Sequence, residues 1–388
     1  MIRFLTAGES HGKALTCIIE GFPAGLDISE EYINNELRRR KFGYGRGPRQ
    51  KMEADKVEIL SGIRFGKTIG SPITLQIKNK DWENWTEKMS PYPIDKEIEK
   101  IEIARPGHAD YVGTLKYNFD DIRNSIERSS ARETTARVAA CSIAKRFLEH
   151  FGITIGSFVE SMNGVYPEDN FYLKLLKNEI PENFQANSLN EIADNLDLRV
   201  LDEQHNEKLK EIVKQAAHQG ETVGGTFITV ATGVPLGLGS FMHYDRKLNA
   251  KISFYISSIN AVKAVEIGAG IKASKNLGSK VTDDMQYVNG KVKYLSNFAG
   301  GIEGGISNGM PIIVRAAMKP IPTVKVSKKT INIFQKENSD TRYERSDVTA
   351  VPACAVISES MLAWAICEAF LEKFSGDSIK EIEKNYRS

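Results

Sequence analysis

Alternating hydrophobic and polar residues mark three stretches of this chain as β-structure. The longest is residues 56–79, KVEILSGIRFGKTIGSPITLQIKN, in which glycines separate short alternating runs. The same alternation recurs in GGTFITVATGVPLGLGS and in GMPIIVRAAM. We therefore predict strands joined by glycine turns at all three places.

Hydrophobic residues at helical spacing predict helices elsewhere. In residues 29–41, Ile33 and Leu37 share a face and Ser29 is a candidate N-cap. Further helices are predicted over residues 123–149, 202–218, 246–265 and 358–374. Because strands and helices do not alternate one for one, the pattern disfavours a doubly wound parallel sheet and predicts an α+β fold.

The length of 388 residues permits several domains, but residues 1–388 read best as a single domain because no low-complexity linker interrupts them. The polar stretch at about residues 165–210 is the best candidate for a surface insertion. No signal-peptide pattern opens the chain, and no stretch approaches the ~18 uninterrupted apolar residues of a membrane span. We expect a cytoplasmic protein without a membrane partner.

The charge balance excludes a global anion-binding surface. Lys plus Arg number 52 and Asp plus Glu 50, so no overall positive field favours nucleic acid, and anion binding must be local. The cysteines form no CxxC pair, which argues against a zinc site or a redox motif. No metal site is expected, and the thiols are predicted to be buried: Cys17, Cys141, Cys354 and Cys367.

Two histidines stand in glycine-containing turns. AGESHGKA places His11 between Ser10 and Gly12, and ARPGHADYVG places His108 three residues after Arg105. Glycine lets a ligand approach the main chain closely, which would suit an exposed functional ring. From these stretches alone, a turn with locally satisfied polar groups or a surface histidine explains the pattern equally well.

Two further stretches concentrate arginine. LRRRKFGYGRGPRQK, residues 37–51, interleaves glycines with Arg46, which suits a loop folded over a compact anion, although a solvated or nucleic-acid-binding cluster is the alternative. NSIERSSARETTARVAA, residues 124–140, is predicted to be helical, with Arg128 and Arg132 on one face. The alternative is an exposed helix face on which Glu127 and Glu133 pair with the arginines.

Other features are interpreted structurally. NFAGGIEGGISNGMP has neither the GxGxxG nor the GxxxxGK[ST] spacing, so no Rossmann fingerprint or Walker A loop is present. Trp82 and Trp85 are interpreted as packing or interface aromatics. Three histidines in polar helical stretches are predicted to lie at the surface: His150, His205 and His218.

Taken in order, the motifs resemble the chorismate synthase family over nearly the whole chain. They are GESHG, YGRG, RPGHADY, ERSSARET, SINAVKAVEIG, GGIEGGISNG, MKPIPT and RSD. The resemblance implies a β-α-β sandwich with helices between two antiparallel sheets, assembled as a homotetramer. It implies anti-1,4 elimination of phosphate from 5-enolpyruvylshikimate 3-phosphate to give chorismate, with reduced FMN as cofactor.

The resemblance also assigns roles to residues. The substrate carries two carboxylates and a phosphate, so planar bidentate donors are its expected receptor; the matching positions are Arg40, Arg46, Arg105, Arg132 and Arg345. His11 is matched to the acid that protonates the departing phosphate, with Ser10 alongside. The other positions matched to catalysis are His108, which keeps the reduced flavin protonated, Asp347, which assists deprotonation of flavin N5, and Ser130.

Flavin contacts are implied for Arg128, Ser129, Ser130, Asn260, Ala261, Gly304, Lys319, Pro320, Ile321, Pro322, Thr323 and Arg345. The chain departs from the family pattern at Cys141, where glycine is usual, and at Ser346, where many members carry histidine. Some fungal members also reduce flavin with NADPH. This chain has no dinucleotide fingerprint, so we expect FMN to be reduced by an external flavin reductase.

Two other functions compete with this interpretation. A nucleic-acid-binding protein would use the arginines at 37–51 and 123–149, but the balanced charge and the turn histidines count against it. A flavin or NADPH oxidoreductase would oxidise its cofactor stoichiometrically, whereas elimination leaves reduced flavin unchanged.

Overall fold

Two four-stranded antiparallel sheets enclose a layer of helices in this computed structural model, which describes residues 2–46, 55–341 and 346–388. The first sheet has the order β1-β2-β6-β3 and comprises β1 (Arg3–Ala7), β2 (Ala14–Glu20), β3 (Val57–Ser61) and β6 (Ile73–Lys78). The second has the order β7-β8-β14-β9 and comprises β7 (Thr154–Met162), β8 (Gly225–Thr232), β9 (Val262–Ile267) and β14 (Ile312–Met318).

The remaining strands form short two-stranded ladders. They are β4 (Ile63–Arg64) with β5 (Lys67–Thr68), β10 (Met285–Val288) with β11 (Lys291–Tyr294), β12 (Ile302–Glu303) with β13 (Ile306–Ser307), and β15 (Lys329–Asn332) with β16 (Glu337–Asp340).

The inner helices are α1 (Glu30–Lys41), α4 (Thr134–His150), α8 (Leu248–Ser257) and α10 (Val351–Lys373). The others are α2 (Asp110–Tyr117), α3 (Arg123–Ser129), α5 (Phe171–Leu176), α6 (Ser188–Ala193), α7 (Glu203–Gln219), α9 (Gly270–Ser274) and α11 (Ile379–Arg387). Short 3-10 helices cover Lys80–Asn84, Ala131–Glu133, Tyr244–Arg246 and Gly278–Lys280. The predicted α+β sandwich is therefore confirmed.

Both sheets are built by the same succession of main elements. Two strands, a helix and two further strands precede a long helix in each half: β1, β2, α1, β3, β6, α4, and then β7, β8, α8, β9, β14, α10. Helix α4 packs on β2 and β6, α10 packs on β7 and β8, and the two helices pack on each other. One continuous hydrophobic core therefore spans both sheets.

Helix α10 lies in the middle of this core. It is apolar on almost every side because its surroundings are protein on almost every side. By length and composition it is the one helix of the described residues that could cross a membrane, but it is mostly buried inside the protein. The prediction of buried thiols is also confirmed, because Cys17, Cys141, Cys354 and Cys367 are all buried.

Several predicted elements agree with the structure. Ser29 caps α1, its Oγ accepting the backbone N–H of Tyr32 at 3.2 Å. The helix predicted at 202–218 is α7, and its Asp202 cap accepts the backbone N–H of His205 at 2.7 Å. The three stretches predicted as strands contain β3 and β6, β8, and β14.

Three predicted helices differ from the structure. The helix at 123–149 is interrupted by Ser130, whose extended backbone (φ −61°, ψ 141°) separates α3 from α4. The helix at 246–265 ends at Ser257, and Ala261, with φ of 67°, turns the chain into β9. The helix predicted at 358–374 is α10, which begins earlier than predicted, at Val351. Pro352 is compatible with this start because backbone N–H groups in the first turn of a helix make no hydrogen bond within the helix.

The segment predicted as a surface insertion covers the outer face of the second sheet. Its Tyr172 and Leu176 are buried against Ile228 and Ile313 of that sheet in a second hydrophobic cluster. The prediction that His205 is a surface group is wrong, because its side chain is buried and its Nε2 lies 3.1 Å from the Glu160 carbonyl.

Candidate functional site

A cavity of about 740 Å³ opens where the ends of several elements meet at one edge of the sandwich. Its wall draws residues from the turn before β2, the end of α1, the break between α3 and α4, the turn before β9, the segment after β14 and the start of α10. The volume lies within the roughly 300–1,000 Å³ of small-molecule and cofactor pockets.

Arg40 and Arg132 share one buried carboxylate in the wall. Asp55 Oδ1 lies 2.5 Å from Arg132 Nη1, and Asp55 Oδ2 lies 3.8 Å from Arg40 Nη1. Arg40 also donates to Thr134 Oγ1 at 3.1 Å. Burial lowers the pKa of Arg40 to about 9 despite the attraction of Asp55, and the neighbouring Arg132 and Arg46 lower it further. This corner of the cavity therefore holds more positive than negative charge.

Two more arginines reach the cavity with carboxylate partners of their own. Arg46 Nη1 lies 3.1 Å from Asp347 Oδ2, and burial lowers the pKa of Arg46 although Asp347 opposes the shift. Arg105 donates through Nε and Nη2 to the two oxygens of the buried Asp110, at 2.8 and 3.0 Å. These pairs fix where each guanidinium lies.

His11 is held on its edge and on its face. Its Nδ1 lies 2.8 Å from Glu127 Oε1, and its backbone N–H donates to Glu127 Oε2 at 2.7 Å. The indole of Trp85 stacks on the imidazole with ring centroids 3.9 Å apart and an interplanar angle of 21°. The ring is therefore fixed, and it remains part of the cavity wall.

His108 lies in the cavity wall, in a turn that requires glycine. At Gly107 φ is 78°, and a Cβ there would lie 2.9 Å from Pro322 Cβ, so a side chain at this position would be crowded as well as strained. His108 Nε2 lies 2.8 Å from Thr323 Oγ1. Burial lowers the pKa of His108 to about 4, and the positive charges of Arg105 and Lys319 act in the same direction. The ring is neutral at neutral pH.

The break between α3 and α4 brings hydroxyl groups to the wall. Ser130 Oγ donates to Ser10 Oγ at 3.1 Å and accepts the backbone N–H of Arg132 at 3.3 Å. A serine hydroxyl that bonds to nearby backbone competes with a continuing helix, which accounts for the break. Asn260 Nδ2 donates to the Ser129 carbonyl at 3.0 Å and ties the turn before β9 to this break.

Most of the residues singled out in the sequence line this one cavity. Those expected to bind substrate or take part in catalysis are Ser10, His11, Arg40, Arg46, Arg105, His108, Ser130, Arg132 and Asp347. Those expected to contact flavin are Ser129, Ser130, Asn260, Ala261, Lys319, Ile321, Pro322 and Thr323.

Other residues singled out in the sequence lie elsewhere. Arg128 is on a different helix from Arg132 and donates to the carbonyls of Thr6 and Gly8 at 2.9 and 3.1 Å, outside the cavity wall. The expectation that Arg128 and Arg132 share a helix face is therefore wrong. Gly304 lies in the turn between β12 and β13, Pro320 is exposed beside the wall, and Arg345 is outside the described residues.

Three residues of this site were not identified from the sequence. The sequence places Glu127 only in the alternative interpretation of an exposed helix face, whereas in the structure it is 2% exposed and hydrogen-bonded to His11. Trp85 was interpreted as a packing aromatic, and Asp55 was not singled out at all. The described residues contain no group of three or more His, Cys, Asp and Glu side chains that could hold a metal ion.

Comparison with known proteins points to one family. The chorismate synthase family profile matches residues 2–371. Chorismate synthase of Geotalea uraniireducens is 48% identical over 100% of this chain and 98% of its own length, and that of Aquifex aeolicus is 48% identical over 99% and 96%. A crystal structure of chorismate synthase superposes with a TM-score of 0.78 at 41% identity, covering 100% of this chain and 96% of the other.

Proposed function

Since this chain belongs to the chorismate synthase family, lyases of the shikimate pathway that act on a phosphate ester, we propose that it converts 5-enolpyruvylshikimate 3-phosphate to chorismate by anti-1,4 elimination of phosphate. The observation that carries this proposal is the convergence of four arginines and two histidines on one cavity: His11, Arg40, Arg46, Arg105, His108 and Arg132. A trianion needs such a local receptor in a chain whose overall charge is nearly balanced.

Substrate binding is the task of the arginines. Asp55 partly neutralises Arg40 and Arg132 and orients them, so their guanidinium groups need little reorganisation when an anion arrives. Arg46 and Arg105 add two more planar donors, and Arg345 is proposed as a fifth. Burial is the main cause of the lowered pKa values of Arg40 and Arg46, and an anion bound beside them would favour their charged forms.

Proton delivery to the departing phosphate is the task of His11. As the allylic C–O bond breaks, negative charge grows on the phosphate, and a positioned imidazole can supply a proton there. Ser10 and Ser130 form a hydroxyl pair beside it, 3.1 Å apart, that can hydrogen-bond the same phosphate oxygens.

Reduced FMN fits the cavity by its walls and donors. Met318, Ile321 and Pro322 give an apolar face for a planar ring, with the Lys319 ammonium close by. Among the described residues, the buried Nη1 of Arg40 and Nε of Arg46 make no hydrogen bond, so donors remain for anionic groups. The residues that would hold the cofactor are Ser129, Ser130, Asn260, Ala261 and the Lys319–Thr323 run.

When held by these residues, reduced FMN would supply electron density to the allylic system of the substrate. His108 lines the same cavity as His11 and is a neutral ring whose Nε2 is hydrogen-bonded to Thr323, so it could hold a proton near the cofactor without adding charge. Asp347, paired with Arg46, presents a carboxylate that could assist deprotonation of flavin N5. Proton donor and proton acceptor are thus separate groups.

The same proposal covers the cellular setting. The enzyme works in the cytoplasm as a homotetramer, and an external flavin reductase supplies its reduced FMN. The absence of GxGxxG and GxxxxGK[ST] spacings in the sequence supports the need for an external reductant.

An anaerobic assay tests the proposal. Purified protein with 5-enolpyruvylshikimate 3-phosphate and dithionite-reduced FMN is expected to release chorismate and phosphate in equal amounts while the flavin absorbance stays constant. The matched control replaces reduced FMN with oxidised FMN and NADPH, and no turnover is expected there. Stoichiometric flavin oxidation would instead indicate an oxidoreductase, and sustained turnover in the control would contradict the external supply of reduced flavin.

A further inference from the structure

The side chain that holds His11 has no role assigned so far. Glu127 lies near the end of α3, and its carboxylate is almost entirely removed from solvent, with 1% of the side chain exposed. It bonds twice to one residue, through Oε1 to the imidazole Nδ1 at 2.8 Å and through Oε2 to the backbone N–H at 2.7 Å. Both oxygens of this buried carboxylate bond to His11, which indicates that the orientation of the histidine matters.

The two contacts determine where the imidazole proton lies. A backbone N–H is always a donor, so Oε2 must be an acceptor, and Oε1 of an ionised carboxylate can only accept as well. His11 Nδ1 must therefore carry a proton, even when the ring is neutral. Nε2 then lies on the edge of the ring away from Glu127.

The surroundings of Nε2 suit proton transfer into the cavity. Asp81 Oδ2 lies 3.9 Å from Nε2, which is beyond hydrogen-bond distance. Asp81 accepts from Trp85 Nε1 at 3.1 Å and from Asn84 Nδ2 at 2.9 Å. Trp85 in turn fixes the plane of the imidazole by stacking, with the Arg123 guanidinium 5.3 Å from the indole centroid.

We propose that Glu127 is a positioning residue for His11: it holds the Nδ1 proton of the imidazolium, so that Nε2 gives its proton to the leaving group and the ring is left neutral with its remaining proton on Nδ1. This inference rests on the proposed function for its catalytic meaning. The proton position itself is independent of any reaction. Glu127 itself is not part of the cavity wall, and its carboxylate acts through the histidine.

Glu127→Gln tests the proposal most directly, because it replaces one of the two acceptor oxygens with a hydrogen-bond donor. An amide has one acceptor oxygen and one donor NH₂. The oxygen must face the His11 backbone N–H, so the NH₂ faces Nδ1 and forces that nitrogen to accept. The proton of the neutral ring then moves to Nε2. Shape and volume are conserved, while the tautomer is inverted.

Long-range proton–nitrogen NMR on protein labelled with ¹⁵N-histidine reads the tautomer directly. The parent protein is expected to carry the neutral-ring proton on Nδ1 of His11, the tautomer that free histidine disfavours. In Glu127→Gln it is expected on Nε2. Loss of one set of resonances in His11→Gln assigns the signals. Glu133→Gln is the matched control: Glu133 is a nearby carboxylate, 9% exposed, that binds Thr6 and Arg137 instead, and its variant is expected to keep the parental tautomer.

Turnover completes the test. In the anaerobic assay Glu127→Gln is expected to lower kcat by about 100-fold or more, with a much smaller change in KM, because an amide NH₂ facing Nδ1 disfavours the doubly protonated ring that donates from Nε2, while the arginines are unchanged. A proton on Nε2 in the parent protein overturns the proposal, and this measurement stands even if the variant does not fold. An unchanged tautomer in Glu127→Gln, or an inverted tautomer with parental turnover, overturns it too. Inverted tautomers together with a parent that forms no chorismate would refute the proposed function and leave the hydrogen-bond assignment intact.

Discussion

At the scale of single residues, the cavity owes its character to arginines whose charges are only partly compensated. Asp55 serves both Arg40 and Arg132, while Arg46 has Asp347. A buried cation with an incomplete set of acceptors gains from an incoming anion, because the desolvation cost has already been met in folding. Binding strength should therefore depend on these side chains one by one.

Replacing Arg46 with alanine should weaken substrate binding. The change removes a donor and leaves the Asp347 carboxylate without this counter-charge, so both effects oppose a trianion. We expect the dissociation constant of 5-enolpyruvylshikimate 3-phosphate to rise by roughly 10–100-fold, about 1.5–3 kcal/mol for a charge-assisted contact. Titration calorimetry measures it, and Arg3→Ala, which alters an exposed arginine paired with Glu20, is the control. Parental affinity in Arg46→Ala would remove this residue from the site.

His108 should make the stability of the fold depend on pH. Its pKa falls from 6.5 to about 4 on folding, so the unfolded chain binds more protons between these values. Its contribution to stability is complete above pH 6.5 and is lost as the pH falls towards 4, by up to about 3 kcal/mol. Urea unfolding at several pH values measures the slope. His108→Gln should flatten it over this window, and an unaltered slope would contradict the burial of a neutral ring.

At the scale of elements, the site depends on where regular structure stops. The extended backbone at Ser130 divides α3 from α4, and the positive φ of Ala261 divides α8 from β9. These interruptions place Ser129, Ser130 and Ala261 in the cavity wall.

The outer face of the second sheet has a tight contact that tests its packing. A Cβ on Gly156, in β7, would lie 1.9 Å from the carbonyl oxygen of Ala186, in the segment before α6. Gly156→Ala must push that segment off the sheet, and overpacking of this kind costs about 1–3 kcal/mol or more. Thermal or urea unfolding measures the loss. Gly278→Ala, where a Cβ meets nothing within 4 Å, should stay close to the parent; equal stability of both variants would contradict the close packing.

At the scale of the whole molecule, a buried ionic network joins the helical layer to the second sheet. Glu359, in the middle of α10, is fully buried and accepts from Arg39 at 2.8 Å, from Lys145 at 2.9 Å and from Ser157 of β7 at 2.6 Å. Burial alone would raise the pKa of Glu359, but the cations Arg39 and Lys145 outweigh it and lower that pKa. The carboxylate thus links α1, α4, α10 and β7.

Glu359→Gln should destabilise the protein strongly, because it removes a counter-charge that the buried Arg39 and Lys145 share and leaves them with Glu36 and Asp194. We expect a loss of about 3–5 kcal/mol at neutral pH. Since folding lowers the pKa of Glu359, its contribution is present above the unfolded value of 4.5 and disappears as the pH falls below it, so parent and variant should converge in acid. Urea unfolding measures both effects. The exposed pair of His150 and Glu383 provides the control Glu383→Gln, which should lose less than about 1 kcal/mol.

Local sequence determined a definite part of this protein. Alternation and helical spacing located β3, β6, β8, β14, α1 and α7, because a strand or helix end depends mostly on neighbouring residues and their caps. The order of short motifs was sufficient to identify the family, and every motif except GGIEGGISNG contributes at least one residue to the cavity wall. Glycine turns and clustered arginines likewise pointed to most of the cavity wall.

Only the tertiary structure decided which polar groups meet. Glu127 is 116 residues from His11, and Asp55 is 77 residues from Arg132, so no local pattern relates them. Helical spacing predicted that Arg128 and Arg132 share one face. This prediction failed because hydrophobic periodicity contains no information about the Ser130 hydroxyl, which competes for backbone hydrogen bonds and ends the helix. Glu127 looks like a surface charge in sequence and is buried in the fold. Its partner came within reach only through the docking of α3 on the turn before β2, since a buried carboxylate is tolerated where packing brings donors to it.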